Sequence, residues 1–485
     1  MVISKLLITI YKLLMKNWTH TRVLILGAAR QGIALARWLS KHASIVTLND
    51  AHSSDELSSA QASLKDTNVK WVTGSHPIEL LNEIDMLCIS GGVPLDLPII
   101  QEAIKRNIPL SNDSQIFMEV VPCKTIGITG SAGKTTTTTL VGEMAKLDRR
   151  PKTEDSFSSS TVHRPRSYVG GNIGDPLINY VDDMQKDDLA ILELSSFQLE
   201  QMTISPTISA ILNITPNHLD RHGTMEAYTN AKARIVDFQS ANDIAILGKD
   251  DAGAWNLKNK IKGKLFTFSL FELQRELNGA YLKDNMLHIK DEDKNIKLLS
   301  REKIQLRGDH NISNVLAAFT IGYAAGFGID SMIQAVEEFR GVAHRLEFVR
   351  ELRGARWYND SIATAPERSM AAIHSFTEPI VLLLGGRDKN LPWDEIAKLI
   401  HQRVDHLVVF GEAGEMIQKT VAGISAERNV EIRQAKNLKE AIILAHEVAS
   451  SGDVVLLSPG CTSFDEFKDF AERGESFRTW VQKLS

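Results

Sequence analysis

The sequence predicts an α/β protein of three blocks, each a mostly parallel, helix-covered sheet. First, short Val/Ile/Leu-rich runs end on Gly, Asp or Ser: "RVLILG" (22–27), "SIVTLND" (44–50) and "IDMLCIS" (84–90). Second, helical stretches such as "GIALARWLSKH" lie between them, an alternation that reads as βαβ units. Third, the alternation restarts twice. It returns at "KTIGITG", "LAILEL" (189–194) and "SAILNI" (209–214), and again at "PIVLLLGG" (379–386), "HLVVFG" (406–411) and "DVVLLSPG" (453–460). A chain of 485 residues has room for about three domains of ~150 residues each.

Composition narrows the function classes. The 43% apolar and 24% charged residues are ordinary for a globular protein. A formal net charge of -5 offers no basic excess, which argues against a nucleic-acid partner. Cys88, Cys123 and Cys461 are far apart and form no CxxC pair, so neither a disulfide framework nor a zinc site is expected. The opening "MVISKLLITIYKLLMK" is broken by Lys5, Lys12 and Lys16 and falls short of the ~20 residues of a membrane span. It reads as an amphipathic extension (1–20) on a soluble, cytoplasmic protein. The block boundaries fall near "MEVVPC" (118–123) and near residue 341. The Ser/Arg-rich stretch 149–167 has no periodicity and reads as a surface insertion.

The second block carries the most specific chemistry. "KTIGITGSAGKTTTT" places an apolar strand before a glycine turn and a helix after it. The strict phosphate-loop spacing fails by one residue, because Ile128 stands where the first glycine belongs. The shorter form, Gly130-Ser131-Ala132-Gly133-Lys134-Thr135, keeps the physics: amides of the turn and helix start converge on an anion. Lys134 reaches the terminal phosphates of ATP or GTP, and the Thr135 hydroxyl suits Mg²⁺. A metal partner follows in "LAILELSSFQLE", whose strand ends on Glu193. The next strand ends near Asn213, and its loop brings His218 and Asp220 to the ligand-binding edge of such a sheet. In "TMEAYTNAKARIVDF", Ala227, Ala231, Ile235 and Phe238 make an apolar helix stripe, with Lys232 near its edge. A lysine there is ordinarily a solvated charge.

The first block opens with "LGAARQG", a GxGxxG variant in which Gly27, Ala29 and Gly32 stand at the glycine positions. Asp50 ends the next strand. Alone, this pattern leaves NAD open as a ligand, although the middle glycine, where backbone meets pyrophosphate, is missing.

Eight ordered motifs resemble the Mur ligases across nearly the whole chain: "GITGSAGKTTTT", "GGNIG" (170–174), "LELSSFQLE", "NHLDRHG…YTNAKARI", "GDHNISNVLAA" (308–318), "HRLE" (344–347), "NDSIAT" (359–364) and "LLSPGCTSFDEFKDFAERG" (456–474). "GGNIG", "SSFQL" and "SPGCTSFDEF" are most similar to the glutamate-adding branch. The resemblance implies an N-terminal Rossmann-like UDP-binding domain (1–118), a central P-loop ATPase-like domain with a mostly parallel sheet (119–341), and a C-terminal Rossmann-like amino-acid domain (342–485). It implies a monomeric, cytoplasmic ATP-dependent ligase of peptidoglycan precursor synthesis, with UDP-N-acetylmuramoyl-L-alanine and D-glutamate as substrates.

By the same resemblance, Gly130 to Thr136 hold the ATP phosphates, including Ser131, Ala132, Gly133, Lys134 and Thr135. Asn311, Asn314, Arg345 and Asp360 serve the rest of the nucleotide. Thr135, Glu193, His218 and Lys232 bind or orient Mg²⁺, with Lys232 carbamylated to give an oxygen ligand. Lys134, Glu193, His218 and Lys232 form the catalytic set. Gly27, Ala28, Ala29, Asp50, Ser90, Gly92, Asn172 and His218 face the UDP-linked substrate. Thr364, Lys389, Ser463 and Phe470 form the glutamate pocket. One departure stands out: many relatives carry lysine where this chain has Ile362, so Arg345, Arg368 or Arg387 must supply that charge. A sister ligase, an NAD oxidoreductase and an ATP-binding switch are the competing readings. "GGNIG" and "SSFQL" speak against the first, the phosphate loop against the second, and the carboxylate-site motifs against the third.

Overall fold

The structure is a computed structural model that describes residues 18–42, 45–148, 165–389, 391–425, 428 and 430–485. The expected extension (residues 1–17) and most of the 149–167 insertion lie outside the described residues. The part of the extension that is described, a 3-10 turn at Trp18–His20, buries Trp18 edge-on against Trp38.

Three sheets form, as the alternation predicts. The first contains β1 (Arg22–Leu26), β2 (Ile45–Asp50), β3 (Val69–Thr73), β4 (Met86–Ile89) and β5 (Leu110–Ser111), all parallel, in the order β3-β2-β1-β4-β5. The second is built on β6 (Lys124–Thr129), β7 (Ser167–Gly171), β8 (Leu189–Glu193), β9 (Ile208–Ile211), β10 (Ile244–Gly248), β11 (Lys264–Ser269) and β12 (Gly279–Lys283). Those seven strands run parallel, and an antiparallel hairpin, β13 (Met286–Asp291) and β14 (Lys294–Ser300), extends the edge. The third contains β15 (Glu347–Leu352), β16 (Ala355–Asn359), β17 (Ile380–Gly385), β18 (His406–Phe410), β19 (Glu431–Gln434) and β20 (Val454–Gly460), in the order β15-β16-β20-β17-β18-β19. Only β15 is antiparallel there.

Two compact units hold these sheets. The first two sheets share one unit (Met1–Lys303 and Asp309–Glu337), and the third sheet forms the other (Ile304–Gly308 and Glu338–Ser485). The short 304–308 segment joins the second unit because Arg307 donates to Glu378 at 2.7 Å and stacks over Tyr358 and Phe376, each at 5.5 Å.

Each sheet has a place where strand order reverses, and α/β sheets bind ligands beyond the strand C-termini at such points. In the first it lies between β1 and β4, where Gly27 and Ser90 sit. In the second, β6 lies between β8 and β9, so the glycine turn, Glu193 and Asn213 converge. In the third, the ends of β16, β20 and β17 bring together Asp360, Cys461 and Gly386.

Three local expectations need correction. The strand expected to end near Asn213 ends at Ile211, because Leu212 and Asn213 turn to meet the β6 loop. Ser167, placed in the surface insertion, begins β7 and pairs with Leu189. The apolar stripe of helix Met225–Asp237 is rotated by one residue. Ala227 and Phe238 are exposed, and the buried face runs through Tyr228, Ala231, Lys232, Ile235 and Val236. Lys232 therefore stands in the middle of the buried stripe, at 1% exposure, and is not a solvated charge.

Candidate active site

The β6 turn is the centre of the first unit. Gly133 takes a φ of +81°, and a Cβ there would meet Asn314 Oδ1 at 2.2 Å. Glycine is required on both counts. The contact shows why Asn314 is here: helix Asp309–Ala325 packs beside helix Lys134–Asp148 and brings Asn314 to the turn, where it donates to Asn311 Oδ1 at 3.2 Å.

Not every amide of the turn serves an anion. Ser131 N donates to Asn213 O at 3.0 Å and Ala132 N to Asn213 Oδ1 at 2.8 Å. The Ser131 hydroxyl donates to Thr215 O at 2.9 Å and lies 3.0 Å from the Tyr228 hydroxyl. The expectation that Ser131 and Ala132 offer free amides is thus corrected. Asn213 braces the turn, and the anion site narrows to the helix start, whose first-turn amides have no intrahelical acceptor. Thr135 is half-buried there and Thr136 is buried.

Two lysines converge on one carbonyl of this turn. Lys134 Nζ donates to Gly130 O at 2.8 Å, and Lys232 Nζ donates to the same oxygen at 2.9 Å and to Thr129 Oγ1 at 3.3 Å. Lys232 also sits 4.8 Å over the Tyr228 ring. Burial, reinforced by the Lys134 charge and opposed by Glu193, pushes its pKa down to about 7. A neutral amine, the form that reacts with CO2, is therefore accessible near neutrality.

Glu193 ends β8 in the second sheet, beside the β6 turn. Its Oε1 accepts from Asn172 Nδ2 at 2.8 Å, and Asn172 N bonds the Glu193 carbonyl at 2.8 Å. Its Oε2 is buried with no hydrogen-bond partner. A buried, unmatched carboxylate oxygen is costly unless a cation meets it, so the residues fit a hard metal ion here. No cluster of three or more His, Cys, Asp or Glu suited to a metal occurs among the described residues. Glu193 is thus the sole carboxylate of the expected set. His218 lies on the adjacent loop in a left-handed conformation (φ 53°), exposed, with its ring 5.1 Å from Phe197.

The first sheet meets this site through its own glycine turn. Gly27 has a φ of +93°, and a Cβ on Gly32 would lie 1.9 Å from Gly27 O, so helix Arg30–His42 could not approach with any larger residue. Asp50 Oδ2 accepts the Ala28 amide at 2.7 Å, and Ser90 Oγ donates to Gly27 O at 2.9 Å. Burial alone would raise the Asp50 pKa, but the Ala28 and His52 amides and the His52 ring hold it below the ordinary value. Ala29 and Gly92 are exposed at the rim. From Arg30, one Nη2–H reaches the Asn172 carbonyl at 3.2 Å, linking this turn to Glu193 through Asn172.

Sequence reasoning missed Arg221. Its guanidinium lies 4.0 Å over Phe197 and donates to Gly91 O at 2.9 Å and Val93 O at 2.8 Å. It fastens the β4 loop to the loop that carries His218. Arg221→Ala is expected to cost about 2–3 kcal/mol of stability, which thermal melting checks.

In the second unit, Asp360 is buried, accepting Ser458 Oγ at 2.8 Å and Leu346 N at 3.2 Å, and burial pushes its pKa up to about 7 against those bonds and the nearby Arg345 and Arg368. Among the cations suggested to replace a lysine at Ile362, Arg387 is held bidentate by Glu412 at 2.8 and 2.9 Å, whereas Arg368 donates to the Ile362 carbonyl at 3.3 Å. Two of the suggested glutamate residues meet. Lys389 Nζ lies 3.4 Å from Thr364 Oγ1, Ser463 is buried in the loop after β20, and Phe470 starts helix Phe470–Gln482.

Comparison with known proteins identifies the domains. Residues 21–112 match "Mur ligase MurD-like, N-terminal domain", residues 128–322 "Mur ligase middle domain", and residues 344–461 "Mur ligase, glutamate ligase domain". The chain belongs to the Mur ligase family. A UDP-N-acetylmuramoylalanine–D-glutamate ligase of Thermoanaerobacter sp. is 38% identical over 464 residues, covering 96% of this chain and 98% of the relative. The ligase of that name from Koribacter versatilis is 36% identical over 466 residues, covering 96% and 98%. Among solved structures, the Thermotoga maritima UDP-N-acetylmuramate-alanine ligase aligns with a TM-score of 0.52 at 18% identity, covering 96% of this chain and 99% of that one. At that identity it bears on the fold alone, and it shares the three-sheet Mur ligase architecture.

Proposed function

We propose that this Mur ligase joins D-glutamate to UDP-N-acetylmuramoyl-L-alanine at the expense of ATP, a step of peptidoglycan precursor synthesis. The observation that carries the substrate assignment is the end-to-end match to D-glutamate ligases, including a glutamate ligase domain over residues 344–461. The β6 turn supports the ATP half of the reading.

The alanyl carboxylate attacks the γ-phosphorus, ADP leaves, and an acyl phosphate forms. The amine of D-glutamate adds to the acyl carbon, the tetrahedral intermediate collapses, and phosphate is expelled. Lys134 and the first-turn amides of its helix bind the transferring phosphate, where charge builds in the transition state. Mg²⁺, when bound, neutralises phosphate oxygens, and Thr135, Glu193, His218 and a carbamylated Lys232 would hold or orient it. Asn172 fixes the Glu193 carboxylate. Asn311, Asn314, Arg345 and Asp360 serve the nucleotide. The turn of Gly27, Ala28 and Ala29, with Asp50, Ser90 and Gly92, takes the uridine diphosphate. Thr364, Lys389, Ser463 and Phe470 take the glutamate.

The domain limits 1–118, 119–341 and 342–485 belong to this reading, as do a monomeric state and a cytoplasmic location. No helix among the described residues is long and apolar enough to cross a membrane. The test is phosphate release from ATP with Mg²⁺, UDP-N-acetylmuramoyl-L-alanine and either enantiomer of glutamate. Release with D-glutamate alone is expected. Release with L-glutamate alone would reverse the stereochemical assignment, and release with neither would overturn the glutamate assignment.

A further inference from the structure

One charged side chain in the second unit has no role in the mechanism above. Arg473, on helix Phe470–Gln482, is 0% exposed. A buried guanidinium is ordinarily paired with a carboxylate. Here no carboxylate lies within ion-pair distance among the described residues. Its donors go instead to neutral acceptors: Nε to Ser361 Oγ at 3.0 Å, Nη2 to Ser361 O at 2.9 Å and to Cys461 O at 3.1 Å. Its Nη1 is buried with no partner at all. Burial holds its pKa down to about 10, against the through-space pull of Asp465, Cys461 and Glu466. Those two carboxylates act from beyond contact distance, with Asp465 Oδ2 accepting the Glu412 amide at 3.3 Å and Glu466 the Leu438 amide at 3.2 and 3.3 Å.

The position of this charge gives it a purpose. Ser361 lies three residues before Thr364 and also donates through Oγ to the Phe470 carbonyl at 2.8 Å. Cys461 lies two residues before Ser463. The unpaired Nη1 sits beside the Gly385-Gly386 turn, 3.1 Å from where a Cβ on Gly386 would be, three residues before Lys389. Arg473 itself follows Phe470 by three residues on the same helix. One guanidinium thus stands under all four segments that carry the suggested glutamate residues, tying two of them directly.

We propose that Arg473 is the positioning residue of the amino-acid pocket: it locks the 361–364 and 461–463 loops together and supplies a positive charge with no carboxylate in direct contact, which favours a dicarboxylate amino acid. The proposal rests on the glutamate reading and adds the source of its charge preference. A structural arginine could make the same loop bonds, but nothing in that role calls for leaving the charge without a carboxylate. An anionic substrate would supply the close negative partner that the guanidinium lacks.

The test compares the unmodified chain with Arg473→Met and Arg473→Lys in the phosphate-release assay. The expected result for Arg473→Met is a rise of tenfold or more in KM for D-glutamate, with KM for ATP unchanged within twofold. The preference for D-glutamate over D-glutamine should shrink by a similar factor. Arg473→Lys, which keeps the charge but cannot span both loops, should show a smaller rise in the glutamate KM and retain the preference. If Arg473→Met does not fold, the lysine variant decides. A glutamate KM within twofold of the unmodified chain, a loss shared equally by all substrates, or a lysine variant without the preference would overturn the proposal. Failure of the unmodified chain to use D-glutamate would instead be failure of the functional reading.

Discussion

Replacing Lys232 with alanine is expected to lower D-glutamate-dependent phosphate release on the order of 10²–10³-fold, with the fold retained. Lys232 is buried against the same carbonyl as Lys134, and this crowding makes it a poor ammonium. A residue that served only as a cation would not be placed where burial and a second cation both oppose its charge. Carbamylation relieves the second of these and reverses its sign, since it turns a cation repelled by Lys134 into an anion attracted to it. Small carboxylates such as acetate should restore part of the Lys232→Ala rate by returning an anionic oxygen to the space left behind. An alanine variant with unchanged rate would remove Lys232 from the mechanism, and a dead variant that no carboxylate restores would assign the role to the amine itself. The pH dependence follows in sign. The amine is neutral above a pKa of about 7 and protonated below it, so carbamate formation, and activity with it, should fall as pH drops through about 7. For the unmodified amine, the folded pKa lies below the ordinary value of 10.5. Its contribution to stability is therefore present above about 10.5 and is lost as pH falls through about 7. Lys232→Met should flatten that part of a stability-versus-pH curve.

Glu193→Gln is expected to reduce the rate by a comparable factor, on the order of 10²-fold or more, for the opposite electrostatic reason. The glutamine carbonyl can still accept from Asn172, so local geometry survives. What disappears is the negative charge at Oε2, which the protein leaves buried and unmatched. A neutral amide costs less to bury than an unpaired carboxylate, so the variant should melt no lower than the parent. Added Mg²⁺ with nucleotide should raise the melting temperature of the parent and do so less for the variant, because a ligand stabilises only the form that binds it. Equal Mg²⁺-dependent shifts in both would remove Glu193 from the metal site.

Much of the fold was legible because its signals are local. "RVLILG", "KTIGITG" and "DVVLLSPG" became β1, β6 and β20 to within a residue or so, since a buried parallel strand needs a continuous apolar run and a turn residue to end it. The glycine turns of both nucleotide-type loops were legible for the same reason: positive φ at Gly27 and Gly133 is a property of the chain at that point. The buried face of the helix around Lys232 lies one residue out of phase with its line of apolar letters. Alanine at 227 and phenylalanine at 238 extend an apolar line through Ala231 and Ile235, whereas the buried face takes in Tyr228, which carries a hydroxyl. That hydroxyl meets Ser131, a partner far away in sequence. Arg221 gave no signal, because an arginine beside a histidine in a loop looks like any surface charge until Phe197 and the β4 loop are brought under it.

The sequence by itself determined the order of strands and helices, the two glycine turns, the lysine and carboxylate types of the ATP site, and membership in a ligase family through motifs that run the length of the chain. Only the tertiary structure decided which of those groups are free to act. It assigned two amides of the phosphate turn to Asn213, put Lys232 and Lys134 on one carbonyl, left one oxygen of Glu193 unmatched, and buried Arg473 with one nitrogen unpartnered. The physical reason is range. Backbone conformation and apolar periodicity are set by neighbours within a turn or two, whereas protonation state and hydrogen-bond satisfaction depend on dielectric and partners that folding brings in from distant positions.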